Sequence, residues 1–318
     1  MKFFVYIVLF LSATVVAQQT TQFTQFTFNK YGYNPAAAGT NINAGLEAVT
    51  GIRKQWVGFG NAPASNFFSA TYTFKPQRSY RRWHNAGVYV LNDKAGIFQN
   101  VGIYGSYTLH LPLTNKWTAS FGVMVGMRRF SLAKSLISPD DPVNAASSTF
   151  VVAYPDIIPG IRLYTKKLFF DASVQQITKN RQAQGGKQIG NNSLLPPHVY
   201  LSLGRKFNVH PDVIVVPAVN VHGTVTSLPS IELNCIAYYR TRVGIGATLR
   251  NTDFISGILQ VRFLKNVTAG FAYDFSINKF TSAYSNTLEF MIGFTPMMSA
   301  LEDKRGKRNV AQCPNFDF

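Results

Sequence analysis

Few residues in this chain have the type and spacing that catalysis needs. The five histidines, His84, His110, His198, His210 and His222, are scattered, and none forms an HExxH-type pair for a metal. Asp140-Asp141 before Pro142 is a carboxylate pair in a turn sequence, better explained by solvent contact than by calcium. No phosphate-binding loop is present, so energy supply is not encoded here. The sequence predicts no catalytic residue, no metal site and no cofactor. What is consistently placed is charge. Glu47, Arg162, Asp171, Glu232, Arg242, Arg250, Asp274 and Glu289 each share one parity of an alternating segment with Gly, Ser and Thr, opposite large apolar residues. Charges so placed either line a pore or cross-pair to close it.

The segments that must position them read as strands. Alternation runs over 44–51, 65–74, 84–92, 99–111, 116–128, 157–165, 168–176, 198–207, 211–221, 230–239, 242–250, 253–263, 267–276 and 284–295. In 99–111, Val101, Ile103, Tyr107, Leu109 and Leu111 oppose Gly102, Tyr104, Ser106, Thr108 and His110. In 267–276, Val267, Ala269, Phe271, Tyr273 and Phe275 oppose Thr268, Gly270, Asp274 and Ser276. A soluble sandwich also alternates, but the large aromatics here would then face inward. A basic residue on a mid-membrane lipid face would cost about 2–4 kcal/mol, and these charges avoid the apolar face. The reading is an all-β, transmembrane antiparallel β-barrel of about 14 strands. Charged residues make up only 14% of the chain, against roughly 25% in soluble domains. A lipid-facing wall accounts for the deficit.

Lys2, the apolar run Phe3–Leu11 and Val15-Val16-Ala17 compose a secretory signal over 1–17, with Gln18 as the expected mature start. Export implies the outer membrane of a Gram-negative cell. Residues 18–43 precede the barrel, 44–295 form it, and 296–318 make a basic periplasmic tail. The first of these segments carries Phe23, Phe26, Phe28, Tyr31 and Tyr33, which need burial. It can fill the lumen as a plug, dock beneath it, or cap the barrel base. Of the two cysteines, Cys235 falls mid-strand as a small apolar residue and Cys313 lies in the tail, so no disulfide framework exists.

Barrels of this type have short periplasmic turns and longer outer loops. With the chain starting in the periplasm, 112–115, 166–167, 208–210, 240–241 and 264–266 become inner turns. The longest connections, 129–156 and 177–197, face outward. More than half of the 31 Lys and Arg then fall at the inner rim or in the tail. Arg78, Arg81, Arg82, Lys166, Lys167, Arg240, Lys265, Lys304, Arg305, Lys307 and Arg308 form a candidate partner-binding rim. Such a rim suits acidic periplasmic partners or the phosphates of outer-membrane lipid. The net charge of +17 does not indicate nucleic acid, because no basic run sits in a nucleic-acid-binding motif.

A set of motifs makes the reading more specific. Gln22-Phe23-Thr24-Gln25-Phe26 is followed by Asn34-Pro35-Ala36-Ala37-Ala38-Gly39. Next come Arg53-Lys54-Gln55-Trp56-Val57-Gly58-Phe59 with Ala62-Pro63, then Asn92-Asp93-Lys94-Ala95-Gly96 and Gly102-Ile103-Tyr104, and Cys313-Pro314 near the end. In this order the chain resembles the PorP/SprF family of type IX secretion system outer-membrane proteins. The last strand departs from the pattern, with Leu288 before Glu289 where a His is expected. The physical reading of the motif residues stands beside this. Trp56 suits an aromatic girdle, while Arg53 and Lys54 either meet lipopolysaccharide phosphates or fold inward onto lumen acids.

The resemblance implies a non-enzymatic accessory barrel of the secretion and gliding-motility machinery, supporting export or surface anchoring of cargo with a C-terminal sorting domain. It also implies contact with periplasmic ring lipoproteins or peptidoglycan-associated proteins. The alternative from the residues alone is an outer-membrane channel for small or hydrophobic solutes.

Overall fold

The computed structural model describes residues 21–41, 44–58, 60, 62–74, 82–132, 151–178, 183–184, 187–188, 196–224, 228–251, 254–264, 266–277 and 286–296. The expected signal and nearly all of the expected tail, with Cys313, lie outside them, as do Arg78, Arg81, Lys265, Lys304, Arg305, Lys307 and Arg308.

Alternating segments pair with their sequence neighbours. The first seven strands are β1 (Leu46–Lys54), β2 (Ala64–Phe74), β3 (Trp83–Ala95), β4 (Phe98–Pro112), β5 (Thr118–Leu132), β6 (Val151–Tyr164) and β7 (Leu168–Gln175). A small ribbon, β8 (Ala183–Gln184) with β9 (Lys187–Gln188), forms a sheet of its own. The wall continues with β10 (His198–Arg205), β11 (Phe207–His210), β12 (Val213–Thr224), β13 (Ser230–Tyr239), β14 (Val243–Arg250), β15 (Phe254–Leu264), β16 (Val267–Ser276) and β17 (Thr287–Phe294). Every ladder is antiparallel. β1 pairs with β17, Arg53 facing Glu289, and β10 pairs with both β7 and β12. The sheet is therefore a closed fourteen-stranded barrel, in which β10 and β11 act as one wall strand interrupted at Lys206. Closure leaves the sheet without a terminal edge strand, which is the condition for it to reside in lipid. No described helix is long and apolar enough to cross a membrane.

The main departures from expectation are at strand ends. The strand expected from 157 begins at Val151, and β5 runs on to Leu132. Ser131 pairs with Val151 and Phe98 with Leu132, so the partner's register extends each strand beyond its own alternation. The expected connection 129–156 shrinks to 133–150. β3 likewise runs to Ala95, placing Asn92-Asp93-Lys94 in strand pairing rather than in a turn.

The outer face is apolar, as the alternation requires. Phe68, Ile103, Phe121, Ile231, Ile245 and Phe290 are all exposed on the wall. The inner face is less uniformly polar than expected. Phe67, Met124, Ile158, Tyr200, Ile236 and Met291 point inward and are buried. They pack with Phe23, Phe26, Tyr31 and Tyr33 of the N-terminal segment into a second core inside the barrel.

Residues 21–41 make that core possible. The segment holds one turn of helix, α1 (Lys30–Tyr33), and a 3₁₀ turn, Pro35–Ala37, capped by the Asn34 side chain, which accepts from Ala36 N–H at 2.9 Å. The backbone then turns at Gly39, whose φ of +67° and close approach to Asn85 leave no room for a side chain. Gly122 of β5 has no space for a Cβ either, because the Pro35–Ala36 backbone lies against it. Gly105 of β4 faces open space on the outer wall. Gly122→Val should therefore destabilise the protein by about 1–3 kcal/mol or more. Gly105→Val should cost little, and urea unfolding of both variants in lipid vesicles compares them directly.

Candidate functional site: a sealed lumen

The plug is fixed at both ends by different chemistry. Toward the end of the barrel that carries the longest connections, Arg53 of β1 is buried beside Asp274 of β16 and Glu289 of β17. Its Nη2 meets Asp274 Oδ2 at 2.6 Å and its Nη1 meets Glu289 Oε2 at 3.1 Å. Both carboxylates also hold the plug. Glu289 accepts the backbone N–H of Thr24 at 2.8 Å and of Gln25 at 2.9 Å, while the Thr24 hydroxyl donates to Asp274 at 2.8 Å. Arg53 Nη1 in turn donates to Thr24 Oγ1 at 2.8 Å. Two acids sharing one guanidinium still have acceptor capacity, and the plug's donors fill it.

Toward the short-turn end, uncharged wall groups satisfy the plug's carbonyls. Thr108 donates to Pro35 O at 2.9 Å, Ser120 to Ala36 O at 2.7 Å, and Trp83 Nε1 to Gly39 O at 2.9 Å. His110 Nε2 lies 2.8 Å from Ala38 O, and its ring stacks on Trp83 with centroids 4.8 Å apart. Between the two ends, Ser173 donates to Tyr33 O at 2.6 Å. Asn34 Nδ2 donates to Ile161 O and to Asp171 Oδ1, which is also paired with Arg162 at 3.2 Å.

Two more ion pairs join neighbouring strands on the inner face. Arg250 meets Glu232 at 3.3 Å and Arg128 meets Asp156 at 3.1 Å. Of the expected lumen charges, Glu47 shares the inward parity of β1, while Asp171, Glu232, Arg250, Asp274 and Glu289 are buried inside. Arg242 is a correction. It lies exposed in the turn between β13 and β14, because β14 starts one residue later than its alternation suggests. Asp156 was not singled out from the sequence, because its segment read as a loop until β5 supplied its partner.

The family-motif residues separate into two groups. Phe23, Gln25, Asn34 and Arg53 are buried in the plug system, with Pro35 and Gly39 shaping its turns; Gln22 is half-buried where the described plug begins. Gln55, Trp56 and Gly58 lie in the turn after β1, where Trp56 is 38% exposed and Gly58 has φ +110°. Arg53 folds inward onto acids, whereas Lys54 is exposed. At the short-turn rim, Arg82, Lys166, Lys167 and Arg240 are exposed, and Arg240 meets Asp212 at 3.4 Å.

The model for the type IX secretion system membrane protein PorP/SprF matches residues 15–294, which takes in the plug and the whole wall. This chain belongs to the PorP/SprF family. No sequence relative was found among curated proteins. Two solved structures share the PorP/SprF protein's architecture. The Ralstonia pickettii toluene transporter TbuX is 13% identical with a TM-score of 0.51, covering 84% of this chain and 92% of that one. The CymD monoaromatic hydrocarbon channel is 11% identical with a TM-score of 0.52, again covering 84% and 92%. At such identities the likeness concerns the barrel fold.

Removing Arg53 would leave the buried Asp274 and Glu289 without the guanidinium that bridges them. Arg53→Ala in this PorP/SprF protein should cost roughly 3–5 kcal/mol. Lys54→Ala next to it should stay within about 0.5 kcal/mol. Thr27→Cys, in a Cys235→Ser/Cys313→Ser background, reports the anchored start of the plug: thiol labelling from solvent should be slow with Arg53 and fast without it.

Proposed function

We propose that this protein is an accessory outer-membrane barrel of the type IX secretion and gliding machinery. It supports export or surface anchoring of particular cargo that carries a C-terminal sorting domain. The observation that carries this reading is a lumen filled by the chain's own residues 21–41 in a member of a secretion-system family. A barrel with its interior occupied offers its rims and lipid-facing wall to partners, rather than a conduit to cargo.

In this arrangement the short-turn end faces the periplasm and the long connections face outward. The exposed Arg82, Lys166, Lys167 and Arg240 then meet the periplasmic partners, ring lipoproteins or peptidoglycan-associated proteins, together with Arg78, Arg81 and the basic tail. Substituting Arg78, Arg81 and Arg82 together by Gln should weaken co-purification of those partners while barrel assembly is unchanged. Equal co-purification would remove the rim from the mechanism.

A solute channel is the second reading, favoured by the hydrocarbon transporters that share the fold. The hydrogen-bonded plug weighs against it, since passage would first require breaking its buried bonds to Asp274 and Glu289. A strain lacking the protein should lose one or a few large sorted proteins from its surface, with other outer-membrane proteins unchanged. An intact surface proteome with impaired uptake of an apolar solute would favour the channel instead.

A further inference from the structure

The lipid-facing wall carries a recess that neither the plug nor the rim explains. Pro217 of β12 lies opposite Cys235 of β13, Cys235 opposite Ala247 of β14, and Ala247 opposite Gly257 of β15. All four share the outward parity, so a row of small side chains crosses four adjacent strands. The row above is large: Leu203, Val219, Leu233, Leu249 and Ile255 are register partners in turn. The row below carries Ile245 and Leu259. The result is a groove of about 660 Å³, within the range of sites that hold small ligands.

Its lower end is different in kind. β12 has no register partner in β10 or β11 at Pro217, because the ladder stops at Gly204–Ala218 and resumes at Phe207–Val215. At this break Arg205 leaves the wall at the groove mouth, its guanidinium stacked 4.9 Å from the Phe207 ring. Lys206 N–H donates to Lys167 O at 2.8 Å, which ties the break to the turn between β6 and β7. Asp212, an acid of the same rim, is directed to Arg240. The groove therefore begins at a basic, aromatic interface and climbs into predominantly apolar wall.

Dimensions choose the occupant. From Arg205 on β10 to Ile255 on β15 the groove spans four interstrand steps, about 19 Å at roughly 4.8 Å each. The bounding rows are four residues apart, about 13 Å between backbones, and their side chains narrow the gap further. A helix with side chains is about 10–12 Å wide and does not fit. An extended acyl chain does. A stacked guanidinium presents its remaining N–H edge to a phosphate in the planar, paired geometry that arginine favours.

We propose that this groove is a specific site for one anionic phospholipid of the periplasmic leaflet. Its phosphate lies at Arg205, and one acyl chain lies along Pro217, Cys235 and Ala247 toward Ile255. The site is independent of which cargo the barrel serves.

Native mass spectrometry of the full-length protein released from nanodiscs tests this, with equal phosphatidylglycerol and phosphatidylcholine supplied. Wild type should retain one phosphatidylglycerol. Arg205→Glu, which reverses the mouth charge, and Ala247→Phe, which fills the groove, should each reduce retention several-fold. Lys116→Glu, in the turn between β4 and β5, should leave retention unchanged. All three positions are exposed, and heat-modifiable gel mobility verifies that each variant is folded. Equal retention of both lipids, retention unaffected by Arg205→Glu and Ala247→Phe, or the same loss from Lys116→Glu would overturn the site.

Discussion

A fourteen-stranded barrel is too wide for its own side chains to fill, and this constraint organises the molecule. About eight strands give an interior that side chains can pack, and about 16–18 leave a water channel. Between those limits the chain supplies a filler from its own N-terminus. Residues 21–41 bring aromatic rings to the middle of the lumen and leave their backbone groups facing the wall. Each buried carbonyl and N–H of the plug then needs a partner, because an unsatisfied one costs about 1–3 kcal/mol. Much of the inward face can be understood as the answer to that demand. Thr108, Ser120, Ser173, Trp83 and His110 are donors set opposite particular carbonyls.

The charged cluster extends the same logic. Arg53, Asp274 and Glu289 come from β1, β16 and β17, which are distant in sequence but adjacent where the barrel closes. A buried ion pair is weak evidence for stability, since desolvation offsets much of its attraction. What this cluster adds is placement. Its carboxylates take up the backbone of Thr24 and Gln25, so closing the first strand onto the last also seats the start of the plug. The seam between the first and last strands and the start of the plug thus share one set of contacts. For a secretion-system barrel, this directs attention to its rims and its lipid-facing wall.

The wall itself is not featureless. Large apolar residues cover most of the described outer face, as lipid requires, yet a row of small ones opens a groove ending at Arg205. Pro217 cannot donate to a ladder, and a proline inside a sheet is usually confined to an edge or a bulge. Here it lies opposite the break between β10 and β11, where the ladder is already interrupted. The break that accommodates the proline also brings Arg205 out at the head of the groove.

Alternation by itself determined the barrel. Period-two patterning through segments such as 99–111 and 267–276 distinguishes an apolar outer face from a polar inner one, and that distinction is local. It also placed Glu232, Arg250, Asp274 and Glu289 on the inward side, and the aromatics of residues 18–43 showed that this segment required burial. Pairing across the barrel was not legible in the same way. That Arg53 turns inward to share Asp274 and Glu289, that Asp156 belongs to a strand, and that Arg242 falls in a turn depend on register between strands. Register is a long-range property, set by which chain lies alongside. The inner core of Phe67, Met124, Ile236 and Met291 was hidden for a related reason. An apolar residue on the inward parity breaks the pattern until a plug is present to cover it, and only the folded chain brings plug and wall together.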